Sequence, residues 1–187
     1  MLAHWIWFAH RPGLTDRSKA MLMQHFSDPE DIFYADRNSF SHLEFLTQEA
    51  GDALADKNLA SAEEILETCA RENIHILTYR DATYCQRLKN IADPPMVLYY
   101  KGRLPDWDAS PVIGIVGTRK ASAYGLTAAK RMGYQIGRCG GIVVSGMAYG
   151  IDSMAMSGAL TADQITVGVL GCGTDIVYPL SNRPLFR

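Results

Sequence analysis

The chain has 187 residues, 48% of them apolar and 20% charged, with 18 Lys and Arg against 20 Asp and Glu. This is enough for one ordinary domain or two small ones with a real core, and it excludes a disordered chain, which would be poor in apolar residues and high in net charge. No apolar run is long enough for a transmembrane helix, and the apolar start, Met1 to Phe8, is too short and lacks the basic leader of a signal peptide.

From the N-terminus the pattern is helical. Thr15 or Asp16 is placed to cap a helix running to Phe26, with Ala20, Leu22 and Met23 at roughly helical spacing. Asp28-Pro29-Glu30 opens a second helix, with proline at the first position, where its missing N–H costs nothing. Ser61-Ala62-Glu63-Glu64 reads as a capping box feeding the stripe Ile65, Leu66, Cys69. These segments predict a small all-helical domain over residues 1–72. From residue 73 two short β-rich runs follow, Ile74 to Thr78 and Val97 to Tyr100, punctuated by Asp93-Pro94-Pro95 and Lys101-Gly102. They are expected to lead into, and to join, the sheet of the second half.

That second half alternates strand and helix. Val112 to Val116 is a nearly continuous apolar run, as expected for a parallel strand buried on both faces. A helix is predicted from Ser122 to Arg138, with Leu126, Ala129, Met132 and Ile136 on its buried face and Arg131 and Arg138 opposite. Ile142-Val143-Val144 is the next strand, Ile151 to Leu160 the next helix, and Ile165 to Leu170 the third strand. This order predicts an α/β fold with a Rossmann-like parallel sheet over residues 73–187.

The two halves differ in charge. Residues 1–110 carry 11 Lys and Arg against 17 Asp and Glu, a net of −6, whereas residues 111–187 carry 7 against 3, a net of +4. Thirteen of the 16 glycines lie in the second part. Such asymmetry points to a nucleic acid or another anion as partner, although a basic surface with no polyanion partner has the same composition. An adaptor that binds proteins through the acidic helical half is a further reading.

Each of the three parallel strands ends in a glycine loop: Gly117-Thr118-Arg119-Lys120, then Ser145-Gly146-Met147-Ala148-Tyr149-Gly150, then Gly171-Cys172-Gly173-Thr174-Asp175. The carboxyl ends of parallel strands share one edge, and ligands bind in the crevice outside it. Glycine permits close backbone approach, helix N-termini offer unpaired N–H groups, and Arg119 brings a planar fork suited to phosphate. The loops match neither a Walker sequence nor a dinucleotide fingerprint, and each taken alone is compatible with ordinary strand-to-helix turn chemistry. Together they predict an anion cradle of Gly117, Thr118, Arg119, Lys120, Ser145, Gly146, Gly171 and Gly173, with Asn182 and Arg183 on its far side. Tyr124 and Tyr149 are candidates for base stacking, and Asp152 reads as a helix cap. Cys172 sits in the cradle, but residues 111–187 contain no histidine to activate it, so no catalytic residue is assigned. The four cysteines show no metal-ligand or disulfide spacing, which predicts reduced thiols, no metal and no cofactor.

In order and spacing, Gly117-Thr118-Arg119, Tyr124-Gly125, Val144-Ser145-Gly146-Met147-Ala148-Tyr149-Gly150-Ile151-Asp152, Gly158-Ala159-Leu160 and Gly171-Cys172-Gly173-Thr174-Asp175-Ile176-Val177-Tyr178-Pro179-Leu180-Ser181-Asn182 resemble the DNA-processing protein A family (DprA/Smf). The resemblance implies a cytoplasmic, non-enzymatic protein with an extended Rossmann-like domain after a small helical one of SAM-like or helix-hairpin-helix-like type. It also implies binding and protection of single-stranded DNA, loading of the RecA recombinase during natural transformation, and a homodimer in the full-length protein. This chain departs from the family pattern at Met156-Ser157, where relatives often carry a His-Arg-like pair, and at Pro12-Gly13-Leu14-Thr15, which keeps only one glycine of a helix-hairpin-helix turn. The family domain continues beyond the position of Arg187, so the Rossmann-like domain is expected to be incomplete on its C-terminal side. The competing expectation is a phosphoribohydrolase-like nucleotide enzyme on a related sheet, but the Pro-Gly-Gly run and the glutamate of such enzymes are missing from the third loop.

Overall fold

The computed structural model describes residues 1–186, and they form two compact units, Met1–Lys101 and the described residues from Gly102 onward. In the first, α1 (Leu2–Ala9), α2 (Asp16–His25), α3 (Pro29–Tyr34), a 3-10 turn (Arg37–Phe40), α4 (Gln48–Ala55) and α5 (Ala60–Arg71) precede β1 (His75–Thr78), the short α6 (Gln86–Lys89) and β2 (Val97–Tyr100). The second contains β3 (Val112–Gly114), α7 (Ala123–Arg138), β4 (Ile142–Ser145), α8 (Ile151–Thr161), β5 (Thr166–Gly168) and a 3-10 segment (Leu180–Phe186).

The N-caps explain where most of the early helices begin. Thr15 accepts a hydrogen bond from the Ser18 N–H at 3.1 Å, and Asp28 accepts one from Glu30 at 3.0 Å, with Pro29 at the first helical position. The box expected at Ser61 does not form. Instead Asn58 Oδ1 accepts from the Ala60 N–H at 2.8 Å, so α5 starts one residue before Ser61. The core of this unit is built around α1, whose Trp5, Ile6, Trp7 and Phe8 are buried with Leu22, Ile32, Phe33, Leu54 and Met96. Trp7 meets the Phe33 ring edge-on at 5.1 Å and donates its indole N–H to the Asp56 carbonyl at 2.9 Å, so its polar atom is satisfied inside the core.

Strands β1 and β2 pair with each other, antiparallel, with His75 opposite Tyr100 and Thr78 opposite Val97. They do not join the parallel sheet, contrary to the sequence expectation: Val97 and Met96 are buried in the aromatic core of the first unit. Packing therefore divides the chain after Lys101, whereas the sequence pattern suggests a division after residue 72.

In the second unit β3, β4 and β5 form a parallel sheet in that order, with Val112 opposite Ile142 and Ser145 opposite Gly168. α7 and α8 pack on one face, around Val143, Ala129, Ala155, Met156 and Ala159. The buried stripe of α7 is Ala129, Gly133 and Gly137, while Met132 is 55% exposed and not on the inner face as expected. The reason is the closeness of the two helices. A side chain at Gly133 would run into the Ala155 carbonyl, and one at Gly158 into the Lys130 carbonyl.

Two predictions follow from this packing. Alanine normally improves a helix over glycine, yet Gly133→Ala should destabilise the second unit by about 1–3 kcal/mol, because it overpacks a backbone contact; denaturant unfolding measures it, and unchanged stability would contradict the close approach. In the first unit, Tyr84 donates to the Pro95 carbonyl at 2.7 Å, and burial raises the phenol pKa of Tyr84 and of Tyr99, the latter to about 12. A phenol that ionises less readily when folded contributes stability that is complete below the unfolded value near 10 and lost as pH rises through the folded value. The thermal midpoint of the first unit should therefore fall above pH 10, and Tyr84→Phe should blunt that fall.

Candidate functional site

All three glycine loops lie along the carboxyl edge of the parallel sheet, as the strand directions require. A single carboxylate ties the first two together. Asp152, in the first turn of α8 and 5% exposed, accepts from the Gly117 N–H through Oδ1 and from the Gly146 N–H through Oδ2, each at 3.2 Å. It thus bridges the end of β3 to the end of β4. A carboxylate in the first turn also has its own helix dipole favourably aligned. The sequence reading of Asp152 as a helix cap missed this cross-link, because its partners are 35 and 6 residues away.

The backbone is also held close. Gly150 has φ +83°, and a side chain there would strike the carbonyls of Thr118 and Arg119. The Thr118 carbonyl accepts from the Ile151 N–H at 3.3 Å, and Thr118 Oγ1 accepts from the Lys120 N–H at 3.2 Å, folding the first loop back on itself. Met147 is buried in the left-handed region at φ +55°, within the second loop.

Several of the expected site residues have their polar groups committed to this framework. Ser145 is buried, and its hydroxyl donates to the Ile115 carbonyl at 2.6 Å. The N–H groups of Gly117 and Gly146 are held by Asp152. Asn182, also buried, donates its amide to the Met147 and Ala148 carbonyls at 2.7 and 3.3 Å, so it anchors the segment after the third loop to the second. In the third loop Gly171 and Gly173 are exposed, but the Asp175 carboxylate lies against Gly173 and places negative charge there.

The remaining expected residues face solvent. Arg119 and Lys120 are exposed at the tip of the first loop, Arg183 is exposed on the final 3-10 segment, and none of the three side chains has an ion-pair partner among the described residues. Tyr124 is 84% exposed at the start of α7, and Tyr149 is 46% exposed in the second loop. The edge therefore presents cations and aromatic rings on a rim, with a rigid, internally bonded base beneath. Among the described residues there is no cluster of His, Cys, Asp or Glu arranged to hold a metal ion, and no helix is long and apolar enough to cross a membrane.

Asp152→Asn leaves only one oxygen to accept from two N–H groups. This should cost the second unit about 1–3 kcal/mol and speed hydrogen exchange at Gly117 or Gly146; wild-type stability and exchange would show that the carboxylate is not the tie.

Comparison with known proteins identifies the family. Residues 75–187 match the model of the DNA recombination-mediator protein A family. The chain is 32% identical to Protein Smf of Synechocystis over 99% of its length and 48% of that protein's, and 36% identical to DNA processing protein DprA of Bacillus subtilis over 65% of its length and 41% of that protein's. It therefore spans about half the length of the curated relatives it matches. Among solved structures, DNA processing protein A from Streptococcus pneumoniae superposes with a TM-score of 0.65 at 26% identity, covering 100% of this chain and 63% of that one. The Helicobacter pylori protein, whose structure concerns a single-stranded DNA binding mode, matches with a TM-score of 0.52 at 25% identity over 61% of this chain and 51% of that one. The matched segment holds all three loops, Asp152 and Asn182, and on this evidence the chain belongs to the DNA recombination-mediator protein A family.

Proposed function

We propose that this chain binds single-stranded DNA along the carboxyl edge of its parallel sheet, without catalysing a reaction on it. The observation that carries this reading is the pair Arg119 and Lys120, exposed without ionic partners on a loop that Asp152 and Gly150 hold rigid. A fixed backbone removes the cost of ordering the loop when Arg119 grips a phosphate, and the guanidinium fork matches two phosphate oxygens. Arg183 is a third cation near the second loop, through its neighbour Asn182. Tyr149 and Tyr124 offer ring faces to bases, a contact that tolerates any sequence.

The arrangement favours a rim contact over a deep phosphate nest. Gly117 and Gly146 already give their N–H groups to a buried carboxylate, and Asp175 repels anions at the third loop. In this reading Gly117, Ser145, Gly146 and Asn182 shape the site, while Arg119, Lys120, Thr118 and Arg183 touch phosphate. Gly171 and Gly173 keep the third loop low enough for the strand to pass. Loading of RecA, dimerisation of the full-length protein and a cytoplasmic location accompany this role, supported by the family and not by a feature of these residues. The phosphoribohydrolase-like alternative has no carboxylate in the third loop at the position of the missing glutamate, and no observation favours it.

Fluorescence anisotropy with a short single-stranded oligonucleotide tests the reading. Binding should weaken with salt by about 0.7 log units per log unit for each contacted phosphate. Arg119→Ala should weaken every sequence alike by about tenfold or more, as loss of a charge-assisted contact requires. Unchanged affinity for that variant would overturn it.

A further inference from the structure

Between Asp108 and Asp152 the sequence contains no acidic residue, yet it carries Arg119, Lys120, Lys130, Arg131 and Arg138. None of these five cations has an ion-pair partner among the described residues, and all are exposed. Asp152, which ends the interval, is buried and bonded to two backbone N–H groups. The five cations of this stretch thus make no ion pair among the described residues; Asp163, between the Ala162 and Gln164 that pack on Gly137, is the acidic residue nearest in sequence to the end of α8.

Its placement on α7 is ordered. Tyr124, Thr127, Arg131, Tyr134 and Arg138 recur at steps of three and four, the spacing of one helical face, and all are exposed. This face flanks Ala129, Gly133 and Gly137, the side of α7 on which α8 packs, and Thr127, Arg131 and Tyr134 stand at the border between the two. Aromatic ring and guanidinium thus alternate along the outside of α7, starting directly after the Arg119-Lys120 loop. Where Gly158 lets the two helices approach, the stripe borders a groove of about 360 Å³ lined by Thr127, Lys130, Arg131 and Tyr134 of α7 and Met154 and Thr161 of α8. It has an apolar floor and a cationic lip.

We infer that single-stranded DNA leaving the loop edge continues along the outer face of α7, with Arg131, Arg138 and Lys130 on its phosphates and Tyr134 stacked on a base in the α7–α8 groove. This rests on the single-stranded DNA reading above and adds a second, separable contact surface to it. The dimensions agree. The 16 residues of α7 rise about 24 Å, room for about seven nucleotides at the stacked spacing of 3.4 Å. Arg131 and Arg138 stand about 10 Å apart along the axis. An acidic protein segment would also meet the cations, but interleaved tyrosines and continuity with Arg119 and Lys120 match a chain that repeats base and phosphate.

Oligothymidylates of about six and about twenty nucleotides, titrated against the full chain at several salt concentrations, separate the two surfaces. Arg119→Ala should weaken both lengths. The double variant Arg131→Ala with Arg138→Ala should weaken only the longer oligonucleotide, by about tenfold, and reduce its salt slope by about 1.4. Tyr134→Ala should weaken the longer one too, and Tyr134→Phe should restore it, because the ring and not the hydroxyl makes the contact. Arg131 and Arg138 are exposed, so circular dichroism and the thermal midpoint of the double variant should stay at wild-type values; Tyr134 lines the groove against α8, so Tyr134→Phe is the variant that keeps both the packing and the ring. Wild-type affinity and slope for the double variant on the longer oligonucleotide, with Arg119→Ala still defective, would remove the α7 track and leave the loop site standing. Failure of the wild-type chain to bind either length would remove both. Displacement of the longer oligonucleotide by polyglutamate as readily as by unlabelled DNA would assign the stripe to acidic proteins and overturn the proposal.

Discussion

The second unit depends on the Asp152 carboxylate, which closes the ends of β3 and β4 onto the first turn of α8. A buried carboxylate is tolerable only when hydrogen bonds replace its lost hydration, and two backbone N–H groups do so here. The bonds must come from glycines held close to it, and α8 has to lie at one depth against the sheet. That depth is set by the helix pair: Gly133 and Gly158 let the backbones of α7 and α8 meet without intervening side chains. Glycines in the helices thus fix α8, α8 fixes Asp152, and Asp152 fixes the loop that carries Arg119.

The same tie makes the three loops unequal, although they look alike as text. The first is drawn toward α8 by Asp152 and Gly150 and projects its cations outward. The second is consumed internally: Gly146 serves Asp152, and its Met147 and Ala148 carbonyls serve Asn182. The third carries its own carboxylate at Asp175. Positive potential is therefore concentrated on the first loop and on the helix that follows it. In the proposed reading a polyanion meets that side of the sheet edge and not its centre, where a phosphate would compete with a carboxylate for the same donors.

The parallel arrangement and the start of α7 near Ser122 are legible because they follow from local signals, apolar runs and turn residues. Family membership was legible because the loop spacings are long and specific. Other features depend on contacts that periodicity does not encode. Met132 has the spacing of a buried residue, but only glycine and alanine fit where α8 approaches. Strands β1 and β2 have the composition of sheet members, yet Val97 finds its burial among the aromatic residues of α1 and α3. Ser145, Gly146 and Asn182 bear the polar groups of a ligand site, and the structure commits those groups to neighbouring backbone. A hydrogen bond spanning 35 residues, such as that of Asp152 to Gly117, leaves no local trace in the sequence.

The most direct measurement is a titration of the isotope-labelled chain with oligothymidylate, following backbone amides by nuclear magnetic resonance. The account predicts that Thr118, Arg119 and Lys120 shift on binding, while the amides of Gly117 and Gly146 keep their slow exchange because Asp152 still holds them. Dominant shifts at Gly117 and Gly146 with loss of that protection, and silence at Arg119, would show that phosphate displaces the carboxylate and would contradict it.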